Sequence, residues 1–590
     1  MATTPRYRPV TLGQFKVITE PHPDGGLYVS CDQTLGEYPP RLSDRLLHWA
    51  EHTPEHSYIA QRDETGQWRH ISYQQALASA RSLGQALLDR KLSPERPLLI
   101  LSGNEIEHAL LALAAQYVGI PFASISPAYS TVSTDFSKLQ HVIDLLSPGM
   151  VYASDGDLYK EAITATVPAD VEVVTRFGQA LGKNHCFYDE LTQTTASAEV
   201  EKARLASNPD TIAKFMFTSG STSLPKAVIT TQRMLCSNLQ MIGQAWPFLA
   251  EEPPVFLDWL PWNHVFGGNH NLGIILYFGG TLYIDDGRPT DAGMAITLNN
   301  LREISPTVYF NVPVGWEKVA DALEQDEVLR QRYYKRIKMQ FYSGAALTQP
   351  VWDKLHATAE QACGERILMT TGLGMTETSP SALFVLSADA QAGQIGVPLP
   401  GMKMRLVPND DKLEIRYKGP NVTPGYWRSP ELGDDAFDEE GFFCSGDAVK
   451  WLDPADPNKG FVFDGRVAED FKLNTGTWVN VGPLRAFITQ HGNPYLQDAV
   501  ITGHDRQALG MLIVPNIAAC HKLSGLEKNA SREAILTSPN VTAFFQKLVN
   551  TLFKESTGSS NRITRALILI EPPSLDLDEI TDKGSINQRA

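Results

Sequence analysis

The chain lacks the cysteine pattern of a disulfide-stapled protein. Its six cysteines, at positions 31, 186, 236, 363, 444 and 520, form neither a C-x-x-C pair nor a dense framework, and they read as reduced thiols of a cytosolic protein. The start, Met-Ala-Thr-Thr-Pro-Arg-Tyr-Arg, has no apolar core of a secretory leader. Long hydrophobic runs are missing too: Leu110 to Ile125 and Leu272 to Ile284 are short or interrupted by Gln, Gly and Pro, so no membrane-spanning segment is expected. Basic charge is scarce, with 51 Lys and Arg against 67 Asp and Glu and a net charge of -16. That argues against a nucleic-acid duplex as partner, because such binding rests on Lys and Arg at phosphates. It leaves a small anion open, since one site needs only a few local cations and N–H donors. Familiar signatures are also absent. There is no G-x-x-x-x-G-K-[ST] loop, no H-E-x-x-H helix and no G-x-S-x-G elbow, and residues 372 to 377 carry Glu377 where a dinucleotide fingerprint needs its third glycine.

What is present reads as alternating strand and helix. A chain of 590 residues is too long for one hydrophobic core. Ser72 with Gln75 forms a capping-box signature, followed at helical spacing by Tyr73, Ala76, Leu77, Ala80, Leu83 and Leu87. Pro97 to Ser102 suits a buried parallel strand, and Glu105 to Tyr117 a helix that stops at Gly119 and Pro121. The alternation recurs at 151–154, 171–175, 256–260, 282–285, 307–311 and 366–370. After Pro400 it gives way to short strands at 404–407, 413–417, 449–452 and 461–463, separated by Gly, Pro and Asp. The expected fold class is α/β, with helix-covered, mostly parallel sheets and a small β-rich lobe over about 400–464.

Five islands carry chemistry. Residues 215 to 226, Phe-Met-Phe-Thr-Ser-Gly-Ser-Thr-Ser-Leu-Pro-Lys, are a strand-like entry into a hydroxyl-rich turn closed by Pro225 and Lys226. In such a turn backbone N–H groups converge on a polyphosphate, with donors from Thr218, Ser219, Ser221 and Thr222 around Gly220 and a charge from Lys226. Taken alone, the same composition also fits a mobile linker. The others are Gly-Leu-Gly-Met-Thr-Glu-Thr (372–378), Gly-Phe-Phe-Cys-Ser-Gly-Asp (441–447), Gly465-Arg466 running on through Glu469, Asp470 and Lys472 to Gly476, and Thr581-Asp582-Lys583-Gly584. In the third, Asp447 stands at a strand end, where its carboxylate can accept both hydroxyls of a ribose.

This order of islands resembles the adenylate-forming superfamily of acyl- and aryl-CoA synthetases, luciferases and nonribosomal adenylation domains, over nearly the whole chain. It is most similar to the feruloyl-CoA synthase branch, through Glu-Asp-Phe-Lys-Leu-Asn-Thr-Gly-Thr-Trp-Val (469–479) and Asp-Lys-Gly-Ser-Ile-Asn-Gln-Arg-Ala (582–590). The resemblance implies an N-terminal domain over 1–464 and a small, swivelling α+β C-terminal domain over 465–590. Relatives continue into a last helix where this chain stops at Ala590, which implies a shortened end. The implied substrates are ATP with Mg²⁺, CoA and a small carboxylic acid, in a cytoplasmic monomer or homodimer.

The resemblance also assigns roles by residue. Thr218 and Glu377 hold the metal, which on a triphosphate takes only one or two protein oxygens. Thr376 meets a phosphate, Gly344-Ala345-Ala346 and Leu373-Gly374 line adenine, and Arg466 reaches the ribose or α-phosphate. His264 gates an acid pocket walled by Val265, Phe266, Asn269, Phe310, Val312, Gly344 and Gly372, a lining that suits a phenylpropenoic acid and equally a medium alkyl chain. Lys226 and Lys583 act on the phosphates; after domain rotation Lys472, Gly476 and Trp478 face CoA. There are departures. Leu373 replaces the usual aromatic platform, Ser223 and Ala227 replace loop glycines, Ala468 replaces the hinge Asp or Lys, and Lys583 precedes its glycine rather than following it. Two other classes compete: a domain loading a carrier protein, for which no Gly-x-Asp-Ser-Leu-type site is present, and a non-catalytic nucleotide-binding protein.

Overall fold

A computed structural model describes residues 6–180, 182–218, 224–345, 347–409, 412–582 and 584–590. Ser219, Gly220, Ser221, Thr222, Ala346 and Lys583, all singled out above, lie outside the described residues.

The capping box forms at Ser72, whose hydroxyl accepts from Gln75 N at 3.2 Å while Gln75 Oε1 accepts from Ser72 N at 2.8 Å. It starts the helix Tyr73–Asp89, whose apolar face packs on the helix Ile106–Tyr117. Between them in sequence, Leu98–Leu101 is buried along its whole length, as a central parallel strand requires. It occupies the middle of a seven-stranded sheet in which Phe122–Ser124, Met150–Asp155, Glu172–Phe177 and His185–Phe187 run parallel. Ile212–Thr218 joins the sheet parallel to Phe122–Ser124 and turns back antiparallel into Lys226–Thr231. A four-stranded sheet holds Val255–Asp258, Thr281–Ile284, Ser57–Arg62 and Trp68–Ser72.

The strands after Pro400 are antiparallel, and they are not isolated. They form the middle of an eleven-stranded sheet that starts with Val17–Pro21 and Leu27–Cys31 and ends, through Gln394–Pro398 and Ser381–Phe384, in three parallel strands, Leu368–Gly374, Met339–Tyr342 and Val308–Asn311. The expected strand over 256–260 ends earlier, at Asp258, because the Asp258 carboxylate accepts from Leu260 N and turns the chain toward Pro261. Past Arg466, a separate apolar core built from Leu473, Ile488, Ile513, Phe545 and their neighbours supports a three-stranded sheet of Leu496–Thr502, Leu509–Pro515 and Ile563–Ile568. Among the described residues, no helix is long and apolar enough to cross a membrane.

Candidate active site

The hydroxyl-rich turn opens from an antiparallel ladder that pairs Thr218 with Lys226, so both stand at its mouth. The Lys226 ammonium lies 5.3 Å from the centre of the Tyr426 ring. Tyr426 is fixed twice: its backbone bridges to Val228, and its hydroxyl donates to Glu377 Oε1 at 3.0 Å. Burial, reinforced by the Glu377 charge, pushes the phenol far above its ordinary range. Glu377 is itself buried in the short turn Thr376–Thr378. Thr423 N donates to its backbone carbonyl at 2.8 Å, and Asn421 Nδ2 donates to Thr378 O at 2.7 Å, so the turn is held from the far side. Sequence reasoning passed over Tyr426, although Pro424-Gly425-Tyr426-Trp427 marks a turn that re-aims an aromatic pair.

Asp447 is not at a strand end as expected. It lies inside Phe443–Trp451, paired with Ile415 on one side and Arg466 on the other, at bulges in both ladders. Gly446 supplies the left-handed backbone there, with φ +69°, and a bulge re-aims the following side chain. Arg466 Nε stands 3.3 Å from the Asp447 carboxylate. Burial pushes Asp447 up to about 6; Arg466 opposes the shift, and Glu377 and Glu469 add to it.

A second group of side chains is built around an irregular helix. Phe266–Asn271 is a π-helical turn, a form that is rare and concentrated at functional sites. Gly267 and Gly268 permit it, because a Cβ added at either would lie 2.4 Å from Leu260 O or 2.2 Å from Trp262 O. The turn buries Val265 against Met216 and Val228, and Phe266 against Phe310. His264 is half-buried at its entrance, its carbonyl accepting from Gly268 N at 2.8 Å.

His270, rather than the neighbouring Asn269, joins a buried aromatic cluster. Its ring centre lies 5.3–6.2 Å from those of Phe266, Phe310, Phe341, Phe384 and Trp246. Burial pushes it down to about 4, with Asn271 opposing, so it is neutral at pH 7. The tautomer follows from its neighbours: Asn271 Nδ2 donates to Asp258 Oδ2 at 3.0 Å, which leaves Asn271 Oδ1 to accept from His270 Nδ1 at 2.8 Å. None of His270, Trp246, Phe341 and Phe384 was foreseen; their spacing in sequence gives no sign that they converge. Asn269 instead lines a small cavity of about 30 Å³ with Lys214, His108 and Trp262. Burial pushes Lys214 there down to about 7. Its ammonium donates to Gly268 O at 3.4 Å, on the back of the π-helical turn.

Gly344 and Ala345 are exposed after Met339–Tyr342, with Val312 beside Gly344. Gly372 and Leu373 pair with Phe384 and Leu383, Gly374 is exposed, and Thr376 is buried. Lys472 and Trp478 face each other across a two-stranded hairpin, the ammonium 4.5 Å from the indole centre, with Gly476 exposed at its tip. Asp582 Oδ2 accepts from Asn263 Nδ2 at 3.5 Å, one residue from His264.

These features have counterparts among known proteins. The AMP-binding enzyme family profile matches residues 46–427, and that of the AMP-binding enzyme C-terminal domain matches residues 470–590. The chain belongs to the AMP-binding enzyme family. It is similar to a probable CoA ligase, CCL8, of Humulus lupulus, at 26% identity over 54% of this chain and 53% of that protein, so the match spans about half of that relative's length. It is also similar to long-chain-fatty-acid–CoA ligase 1 of Homo sapiens, at 22% identity over 77% of this chain and 70% of that one. Among solved structures, O-succinylbenzoate CoA synthetase of Bacillus subtilis with AMP superposes with a TM-score of 0.68 at 16% identity, covering 94% of this chain and 98% of that one. The anthranilate CoA ligase AuaEII with anthranoyl-AMP superposes with a TM-score of 0.69 at 16% identity, covering 94% and 96%. At such identities the structures share the fold.

Proposed function

We propose that the chain is an ATP-dependent acid–CoA ligase that adenylates an aromatic acid of the hydroxycinnamic type, ferulate among them, and passes the acyl group to CoA. One observation carries the reading: Tyr426 ties the lysine of the phosphate turn to Glu377, so a cation and a carboxylate from two distant stretches of sequence form one site. In the first half-reaction a carboxylate oxygen bonds to the α-phosphorus of MgATP, the bond to the β-phosphate oxygen breaks, and pyrophosphate leaves. Such a step is driven by placement and by positive charge at the phosphates. Lys226, Lys583 and the donors at 218–222 supply the charge, Glu377 with Thr218 holds the substrate's Mg²⁺, Thr376 meets a phosphate, and Asp447 with Arg466 holds the ribose. The site fits that metal. Glu377 and Thr218 offer one carboxylate and one hydroxyl, and Mg²⁺ carried by a triphosphate needs one or two protein oxygens.

In the second half-reaction the CoA sulfur bonds to the acyl carbon, AMP leaves, and the thiol proton goes to solvent. We assign residues 1–464 and 465–590 to two bodies that reorient between the steps, bringing Lys472, Gly476 and Trp478 to CoA. The aromatic wall of Phe266, His270, Phe310, Phe341 and Phe384 supports an aryl acid. The names of the relatives span long-chain fatty, malonate and aryl acids, so the substrate rests on this wall and on the feruloyl-type motifs. The test is acid-dependent exchange of labelled pyrophosphate into ATP, followed by AMP release on adding CoA. Exchange without CoA-dependent release points to carrier loading; no exchange with any acid ends the ligase reading.

A further inference from the structure

The segment after Ile563–Ile568 carries Lys583, and it is gripped by a part of the chain more than four hundred residues earlier. Lys138, 7% exposed, opens the helix Ser137–Leu146. Its Nζ donates to Leu575 O at 2.5 Å and pairs with Asp578 Oδ1 at 2.7 Å. One turn away, Thr134 donates through both its backbone N and its hydroxyl to Asp576 Oδ2, at 3.1 and 3.0 Å. Leu575 is buried in the core beneath that helix, with Leu139 and Val142, and Phe136 and Ile580 pack on the same core.

The gripped segment is braced as one piece. Asp578, whose side chain meets Lys138, also accepts from Asn587 Nδ2 at its carbonyl, and Asn587 N donates to Glu579 O. Thr581 N donates to Ser585 O, and Gly584 N to Thr581 O, tying these three residues together. On the other side, Gln588 exchanges hydrogen bonds with both backbone groups of Ile501, at 2.7 and 2.9 Å, in the edge strand of the C-terminal sheet. A movement at Asp578 is therefore passed directly to the turn at 581–585.

We propose that Lys138 is a positioning residue for adenylation: it seats the segment carrying Lys583 against the acid and phosphate site, and it lets go when the C-terminal domain rotates for thioester formation. The proposal rests on the ligase reading above. The contact joins the two bodies that reorient, so it is available to one half-reaction only. Charged hydrogen bonds of this kind are among the stronger ones, and without the ammonium Leu575 O keeps only the weaker bond from Asp578 N at 3.2 Å.

Lys138→Met keeps the buried stem and removes the charge. It is expected to lower acid-dependent pyrophosphate exchange by about tenfold to a hundredfold. Conversion of chemically supplied acyl-AMP and CoA to thioester should stay within about twofold of the parent rate. Asp578→Ala should reproduce part of the loss, the double variant should be less than additive, and Lys138→Arg should restore exchange. A second readout needs no catalysis: hydrogen exchange of the 575–585 amides should accelerate in Lys138→Met while the strands 98–101 and 150–155 stay protected. Equal loss in both half-reactions, or unchanged exchange and unchanged amide protection, overturns the proposal. If the parent protein exchanges no pyrophosphate, the ligase reading fails by itself, and unchanged amide protection in Lys138→Met then still overturns the seat.

Discussion

Tyr426 donates its hydroxyl to Glu377 at 3.0 Å while its ring lies 5.3 Å from the Lys226 ammonium, so one side chain touches a carboxylate and a cation brought from two distant stretches of sequence. The ring face attracts the cation, and the phenol steadies the anion. With ATP bound, the two charges are expected to face the same triphosphate.

This arrangement ranks three variants. Lys226→Ala and Glu377→Ala each remove a charge at the phosphates and should lose orders of magnitude in acyl-adenylate formation while remaining folded. Tyr426→Phe keeps both charges and loses only the donor, about 1.5–3 kcal/mol for a bond to a charged group, so its loss should be about tenfold to a hundredfold. It should appear mainly as a raised Mg²⁺ requirement. Pyrophosphate exchange titrated with Mg²⁺, beside circular dichroism, measures all three; parent-like rates in folded Lys226→Ala and Glu377→Ala would remove the site.

Asp447 gives a pH signature with opposite signs for folding and for binding. Burial raises its value in the fold from the ordinary 3.8 to about 6, so the folded state binds the extra proton. Its contribution to stability is therefore full below about pH 3.8 and is lost as pH rises through about 6. Nucleotide binding runs the other way, because the ionised carboxylate is the form that accepts two ribose hydroxyls. AMP affinity should rise between pH 5 and 7, and Arg466→Met should move that rise to higher pH by removing the cation that opposes the shift. Calorimetric titration of AMP across about pH 5–8 checks this; a pH-independent affinity would contradict the ribose role of Asp447.

Much of this was legible in the sequence for local reasons. The capping box at Ser72, the buried run at Leu98 and the glycine punctuation after Pro400 each act through neighbours a few residues away, so the strand and helix positions follow from short windows. The ordered islands placed Glu377 and Asp447 together because each island carries its own chemistry. What escaped were relationships between distant stretches. His270 meets Trp246, Phe341 and Phe384 only because a π-helical turn rotates it, and nothing in Phe266-Gly267-Gly268-Asn269-His270 shows an extra residue in that turn. Lys214 reads as an ordinary strand lysine; only its pairing beside Phe122 puts its ammonium in the interior.

The aromatic wall predicts the order of substrates. Flat rings find edge and face partners in Phe266, Phe310, Phe341 and Phe384, whereas a flexible chain gives up rotational freedom without a matching gain. Ferulate, coumarate and caffeate should give CoA thioesters at higher kcat/KM than octanoate or palmitate. A panel in which only the aliphatic acids react would overturn the aryl reading and leave the ligase reading standing.

Lys583 carries the sharpest separation of the two half-reactions. Its flanking residues belong to a turn closed by Thr581 and Ser585, and Asp582 reaches Asn263 beside His264, where the proposed function puts the acid. A lysine ammonium there can offset charge only where the carboxylate meets the α-phosphate. In the proposed thioester step the CoA sulfur expels AMP from the mixed acyl–phosphate anhydride already formed, with the segment withdrawn. Lys583→Ala should accordingly abolish acid-dependent pyrophosphate exchange, yet convert supplied acyl-AMP and CoA to thioester at near the parent rate. Gly584→Ala, with φ +81° at that position, should strain the turn and show a weaker form of the same split. Equal loss of both half-reactions in Lys583→Ala would make the lysine structural, and the charge for adenylation would then have to come from Lys226 alone.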